Sequence, residues 1–159
     1  MLILALDTAT EAVGAAVVDT TEDAVLGRAG FLGPAAHGEQ LAPLVAQALE
    51  LAGVQPRDLS AIGVGRGPGP FTGLRVGLVT ARMLGAVLGV PVHGVCTLDA
   101  LALDAGIEGP FRVATDARRK EVYWAAYDGS SGLARVDGPH VDRPAEVAWD
   151  GPVVGPGPQ

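Results

Sequence analysis

The sequence predicts an α/β fold in which helices cover a mixed sheet and the second half of the chain partly repeats the first. Three observations carry this. Short apolar or alternating runs of strand length are followed by segments of helical spacing, giving the order β-β-β-α-β-α-β-α. A strand–Asp–turn–strand pattern opens the chain at Asp7 and recurs at Asp116. Between them, Gly65 to Gly77 joins a strand to a helix with five glycines and two prolines in thirteen residues. The expected organisation is a first lobe over residues 1–105 and a shorter, incomplete second lobe over 106–159.

Leu2 to Leu6 is a continuous apolar run, expected as a strand buried on both faces. Asp7-Thr8-Ala9-Thr10-Glu11 is turn chemistry, Val13 to Val18 is a second strand and Ala24 to Phe31 a third. Short polar turns make these an antiparallel meander. Leu41, Leu44, Val45, Ala48, Leu49 and Ala52 keep the i, i+3, i+4 spacing of one helix face; Gly53 falls just past its end, with Pro56 beyond. Ala61 to Val64 reads as a strand. From Phe71 to Leu88 apolar or small residues run nearly all round a helix, with Arg75, Thr80 and Arg82 among its few polar exceptions. That composition predicts burial on more than one side. Gly89-Val90-Pro91 stops this helix, Pro91 to Val95 is a strand, and Thr97 fits an N-cap for a short helix, Leu98 to Leu103. After a pause at Ala105 to Pro110, strands Phe111 to Thr115 and Val122 to Tyr127 flank a charged turn. Leu133 to Val136 and Val153-Val154 are the remaining β-like runs.

The net charge is −7, and the 11 basic residues are ten Arg and Lys120. Strong unaided grip on a nucleic-acid backbone needs clustered cations, and the one dense cluster is Arg118-Arg119-Lys120. A role near RNA is therefore expected through a partner. Cys96 is the single cysteine, which excludes an internal disulfide and reads as a buried thiol. No uninterrupted apolar stretch has membrane-spanning length, and Asp7 interrupts what would be a signal peptide's apolar core. The expectation is a cytoplasmic protein with no membrane association.

The glycine stretch admits two readings. A strand–Gly-rich loop–helix unit gathers free N–H groups that stabilise a phosphate. Alternatively, the glycines serve a tight connection and close packing. Candidate anion-loop residues are Asp7, Gly65, Arg66, Gly67, Gly69, Thr72, Gly73 and Arg75. The spacing matches neither a Walker A loop nor a dinucleotide-binding fingerprint. Asp7 and Asp116 stand where a hydrated metal could meet carboxylates, or where each accepts hydrogen bonds within its own turn. His37 and Glu39 open the first helix as first-turn polar residues or as ligands. No HExxH pair and no Gly-x-Ser-x-Gly elbow occurs, so neither a metal site nor a catalytic set is expected.

Several segments together resemble the TsaB (YeaZ) family, a partner of the enzyme that makes N6-threonylcarbamoyladenosine in tRNA. They are Ile3 to Thr10, His37 to Leu44, Gly65 to Gly77, Gly89-Val90-Pro91, Gly94 to Leu98 and Asp116 to Trp124, in the family's order. The resemblance implies an actin/Hsp70/sugar-kinase-like (ASKHA) fold of two duplicated lobes and a non-catalytic role. It implies partnership with a TsaD-like catalytic subunit and a TsaE-like ATPase, a homodimer when alone, and contact with tRNA only indirectly. The pairing surface it implies is His37, Glu39, Leu41, Leu44, Val45 and Ala48, with Leu74, Leu78 and Arg82 opposite. Asp116, Arg118, Arg119 and Glu121 form the second-lobe turn. No intrinsic cofactor is expected; ATP or ADP, if bound, would sit at the interface shared with the partner. Where the family more often has Ser, this chain has Pro70, which removes a hydroxyl and an N–H. The family also continues past the point where this chain stops. Rival readings are an autonomous ATPase or small-molecule kinase on the same fold, and a peptidase.

Overall fold

The computed structural model describes residues 1–33, 37–147 and 149–155. The chain separates into two units: Met1–Arg66 with Pro70–Val95, and Cys96–Gln159 with Gly67–Gly69. Nine strands and three α-helices lie in these residues.

The first unit holds a five-stranded sheet in the order β3-β2-β1-β4-β5. Strands β1 (Leu2–Asp7), β2 (Ala12–Asp19) and β3 (Ala24–Leu32) form the expected antiparallel meander. Strands β4 (Ala61–Gly65) and β5 (Val92–Val95) add in parallel on the other side of β1. Full burial of β1 on both faces does not occur: Leu4 and Leu6 are buried, but Leu2, Ile3 and Ala5 are half-buried. Helix α1 (His37–Ala52) lies against β2 and β3, close enough that a Cβ on Gly27 would strike the Ala48 carbonyl. Helix α2 (Phe71–Leu88) lies against β4, β1 and β5. Gly89 ends α2 in the left-handed region (φ 69°), its N–H and that of Val90 both returning to the Gly85 carbonyl. By length and composition α2 could cross a membrane, yet its narrow side is packed on this sheet.

The second unit repeats the topology of the first. Its sheet runs β8-β7-β6-β9, with β6 (Pro110–Arg118), β7 (Glu121–Asp128) and β8 (Ala134–Asp142) antiparallel and β9 (Val153–Val154) parallel to β6. The relation of β9 to β6 is that of β4 to β1. Where α1 joins β3 to β4, the described residues between β8 and β9 hold only the 3-10 turn Pro144–Glu146. Helix α3 (Thr97–Ala105) belongs to this unit, because Leu98 and Ala102 share a core with Phe111, Val113, Ala125 and Tyr127. The boundary thus falls at Cys96 rather than at residue 106. The N-cap of α3 is Cys96, with Thr97 the buried first residue of the helix. Cys96 is 4% exposed, as its apolar surroundings predict. Strand β8 extends well past Val136, through Gly138 and Pro139, where composition argues against a strand.

Candidate functional site

The glycine stretch meets the β1–β2 turn. Parallel pairing of β1 with β4 sets Leu6 opposite Val64, so Gly65 arrives beside Asp7. A Cβ on Gly65 would coincide with the Asp7 carboxylate. That carboxylate accepts the Ala9 N–H at 2.7 Å, the self-capping turn bond that Asp favours. Asp116 does the same on β6, accepting the Arg118 N–H at 3.1 Å. The two carboxylates that head the duplicated pattern therefore both hold their own turns. Among the described residues no three His, Cys, Asp or Glu side chains converge to bind a metal.

Thr8 fills the space next to Asp7. It is 0% exposed; its hydroxyl donates to the Gly73 carbonyl at 2.8 Å and accepts the Gly77 N–H at 3.2 Å. A Cβ at Gly73 would stand 2.5 Å from the Thr8 carbonyl oxygen, and one at Gly77 2.5 Å from its hydroxyl. These two glycines thus serve close packing rather than an open anion cradle. His37 lies alongside, with Nε2 2.7 Å from the Thr10 carbonyl. A carbonyl only accepts, which puts a proton on Nε2. Sequence reasoning missed Thr8 because its partners lie more than sixty positions downstream.

Helix α2 has two unlike sides. Gly73, Gly77, Ala81 and Gly85, four residues apart, are buried against the sheet. On the opposite side Phe71 is 75% exposed, Val79 47%, Met83 64% and Val87 80%. Burial on several sides, as its composition predicts, does not occur among the described residues. Leu78 packs in part against the core, Leu74 is half-buried, and Arg75 and Arg82 are exposed. Helix α1 uses its apolar face differently. Leu41, Leu44, Val45 and Ala48, expected at a partner surface, are 1%, 6%, 8% and 0% exposed in the unit's own core. They already pack on β2 and β3 and have no surface left to offer.

The remaining expected residues are dispersed. Glu39 is exposed in the first turn of α1, where its charge suits the helix dipole. Arg66 is exposed and lays its stem beside Gly94. Thr72 is exposed at the start of α2, while Gly67 (φ 85°) and Gly69 group with the second unit. At the β6–β7 turn Arg118, Arg119 and Lys120 all take positive φ (64°, 52° and 66°). Left-handed backbone costs a non-glycine residue about 1–2 kcal/mol, so this tip is strained as well as basic. Glu121 follows as the first residue of β7, pairing with Arg118.

Two side-chain clusters of the second unit also escaped the sequence reading. Tyr127 stacks on Phe111 (centroids 5.6 Å apart) and donates its hydroxyl to Asp99 at 2.8 Å, which Arg135 approaches at 3.3 Å. Burial, and next the bond to Asp99, push the Tyr127 phenol far above its ordinary range, so it stays a donor. On the opposite sheet face the Arg112 guanidinium lies 4.3 Å from the Trp124 ring and 4.8 Å from that of Trp149.

Comparison with known proteins places this architecture. The family model described as TsaD, tRNA N6-adenosine threonylcarbamoyltransferase, matches residues 32–156. An uncharacterized Mycobacterium tuberculosis protein is 48% identical over 146 residues, 91% of this chain and 66% of the relative. The Escherichia coli tRNA threonylcarbamoyladenosine biosynthesis protein TsaB is 41% identical over 130 residues, 80% of this chain and 55% of the relative. The solved structure of YeaZ from Pseudomonas aeruginosa superposes with a TM-score of 0.81 at 35% identity, covering 94% of this chain and 71% of that one. A Listeria monocytogenes putative N-acetylmannosamine kinase shares the fold alone, with a TM-score of 0.52 at 16% identity over 84% of this chain and 49% of that one. The fold is that of the actin/Hsp70/sugar-kinase class. Within it, the chain belongs to the TsaB (YeaZ) family. It spans between half and two thirds of the length of the curated relatives named here.

Proposed function

We propose that this chain is a non-catalytic subunit of the tRNA threonylcarbamoyladenosine machinery, which binds and activates a TsaD-like catalytic subunit in the cytoplasm. The exposed apolar stripe of α2 carries the reading. Scattered apolar residues on a surface need no explanation, but Phe71, Val79, Met83 and Val87 line one side of one helix. Exposed Arg75 falls within that row, four residues from both Phe71 and Val79, and exposed Arg82 borders it next to Met83.

The choice of partner rests on the relatives named TsaB and on the matching TsaD family model. A model of TsaD that matches this chain implies a partner built on a related lobe, able to offer an equivalent helix face. The same pairing of like with like would give a homodimer when the partner is absent. ATP or ADP would be held jointly with the partner and a TsaE-like ATPase. Asp7 is committed to its turn and Thr8 fills the place against Gly73 and Gly77, which supports that division. Transfer of RNA contact to the catalytic subunit fits the net charge of −7.

The test is co-elution with a TsaD-like subunit, followed by tRNA modification reconstituted with the TsaE-like ATPase and threonylcarbamoyl-AMP. Modification is expected to depend on this chain. Equal modification without it, or ATP hydrolysis by the chain alone at roughly 1 s⁻¹, would overturn the proposal.

A further inference from the structure

Thr8 holds a place that neither the strand before it nor the helix beside it explains alone. In an α-helix the N–H of residue 77 bonds the carbonyl of residue 73. The Thr8 hydroxyl, from another element, takes that same pair: it donates to Gly73 at 2.8 Å and accepts from Gly77 at 3.2 Å. Insertion of a side chain into the helical ladder is one of the few causes of a local bend. The two glycines make a notch one threonine wide, since a methyl on either would collide with Thr8. The far end of the turn is held too, by His37 of α1 through the Thr10 carbonyl. Beyond the notch, α2 is fixed separately, with Gly85 closed against Val92.

We propose that Thr8 is a positioning residue for the partner surface: its hydroxyl sets the direction of the first turns of α2, and with them Phe71. This rests on the reading of α2 as the surface that a TsaD-like subunit covers. The β1–β2 turn becomes a lever on the interface. The part of the stripe near Phe71 follows Thr8; the part at Met83 and Val87 does not.

The experiment compares Thr8→Val, which removes the hydroxyl at near-constant volume, with Thr8→Ser, which keeps it. Amide shifts of Gly73 and Gly77 should move in Thr8→Val, return in Thr8→Ser, and leave residues 81–88 unchanged in both. Affinity for the TsaD-like subunit, read by calorimetry, should fall about tenfold in Thr8→Val and recover in Thr8→Ser, as loss of preorganisation predicts. If valine is not tolerated, Thr8→Ala carries the same expectation. Met83→Glu is the control, expected to abolish association without moving the Gly73 and Gly77 shifts. Undiminished affinity in Thr8→Val alongside a dead Met83→Glu would overturn the role of Thr8 and leave the partner surface standing. Undiminished affinity in Met83→Glu would overturn both.

Discussion

Helices α1 and α2 lie in the same unit, are similarly rich in apolar residues, and use them in opposite ways. Helix α1 turns its large side chains inward, with Leu41 and Ala48 at 1% and 0% exposure. Helix α2 turns its smallest residues inward and leaves Phe71, Met83 and Val87 in the open. The difference follows from how near each backbone comes to its neighbours. Side chains of leucine size hold α1 off the sheet and form the core. Glycines bring the backbone of α2 within hydrogen-bonding reach of Thr8, which leaves no room for large side chains on that face. Apolar content measures how much surface a helix wishes to hide, and packing distance decides which side hides it.

The largest expected effect separates the two helices outright. Leu41→Glu should unfold the first unit, since even Leu→Ala at a buried site costs about 2–5 kcal/mol and an unpaired carboxylate costs more. Met83→Glu, on the open side of α2, should change stability by less than about 0.5 kcal/mol. Urea unfolding followed by circular dichroism reads both, and similar losses would break the comparison. Next is Gly77→Ala. In an unpacked helix this change stabilises by about 0.8–1.0 kcal/mol. Here the methyl meets the Thr8 hydroxyl at 2.5 Å, and overpacking of that kind costs about 1–3 kcal/mol. A stabilised variant would mean that α2 does not sit as tightly as described.

Helix α3 offers a third mode, tied to its sheet by a polar link. Tyr127→Phe removes the bond to Asp99 and should cost about 0.5–1.5 kcal/mol in the same urea assay. A neutral result would assign the anchoring of α3 to apolar packing alone.

The smallest effect is electrostatic and should be blind to either helix. Asp19 is held below its ordinary pKa by a hydrogen bond from the N-terminal ammonium, Asp128 by the Ser130 hydroxyl and Asp137 by His140. A carboxylate with a lowered folded pKa contributes stability above the unfolded value, about 3.9, that is lost as pH falls through the folded one. The urea midpoint should therefore drop on acidification below about pH 4, and Asp19→Asn or Asp137→Asn should flatten that drop slightly, as exposed pairs do. A midpoint that rises on acidification would contradict the assignment.

Much of the architecture was written locally. The meander, the bounds of α2 and the echo of Asp7 in Asp116 follow from alternation, from glycine and proline punctuation, and from apolar spacing. What covers a helix face was not legible, because periodicity identifies a face without naming its occupant. The family resemblance put Leu41 and Leu44 at a partner surface when they are core, and the composition of α2 predicted burial on more than one side when one side is open. Thr8 had no signal at all: a threonine in a turn is ordinary, and its meaning lies in Gly73 and Gly77. Strand β8 was cut short at Val136 because glycine and proline at positions 138 and 139 argue against a strand interior.

The central claim is that the open side of α2 is a protein-binding surface for a TsaD-like subunit. Calorimetric titration of that subunit with the wild-type chain and with Met83→Glu tests it most directly. The account predicts saturable binding of the wild type and loss of binding by the folded variant; equal binding by both would contradict it.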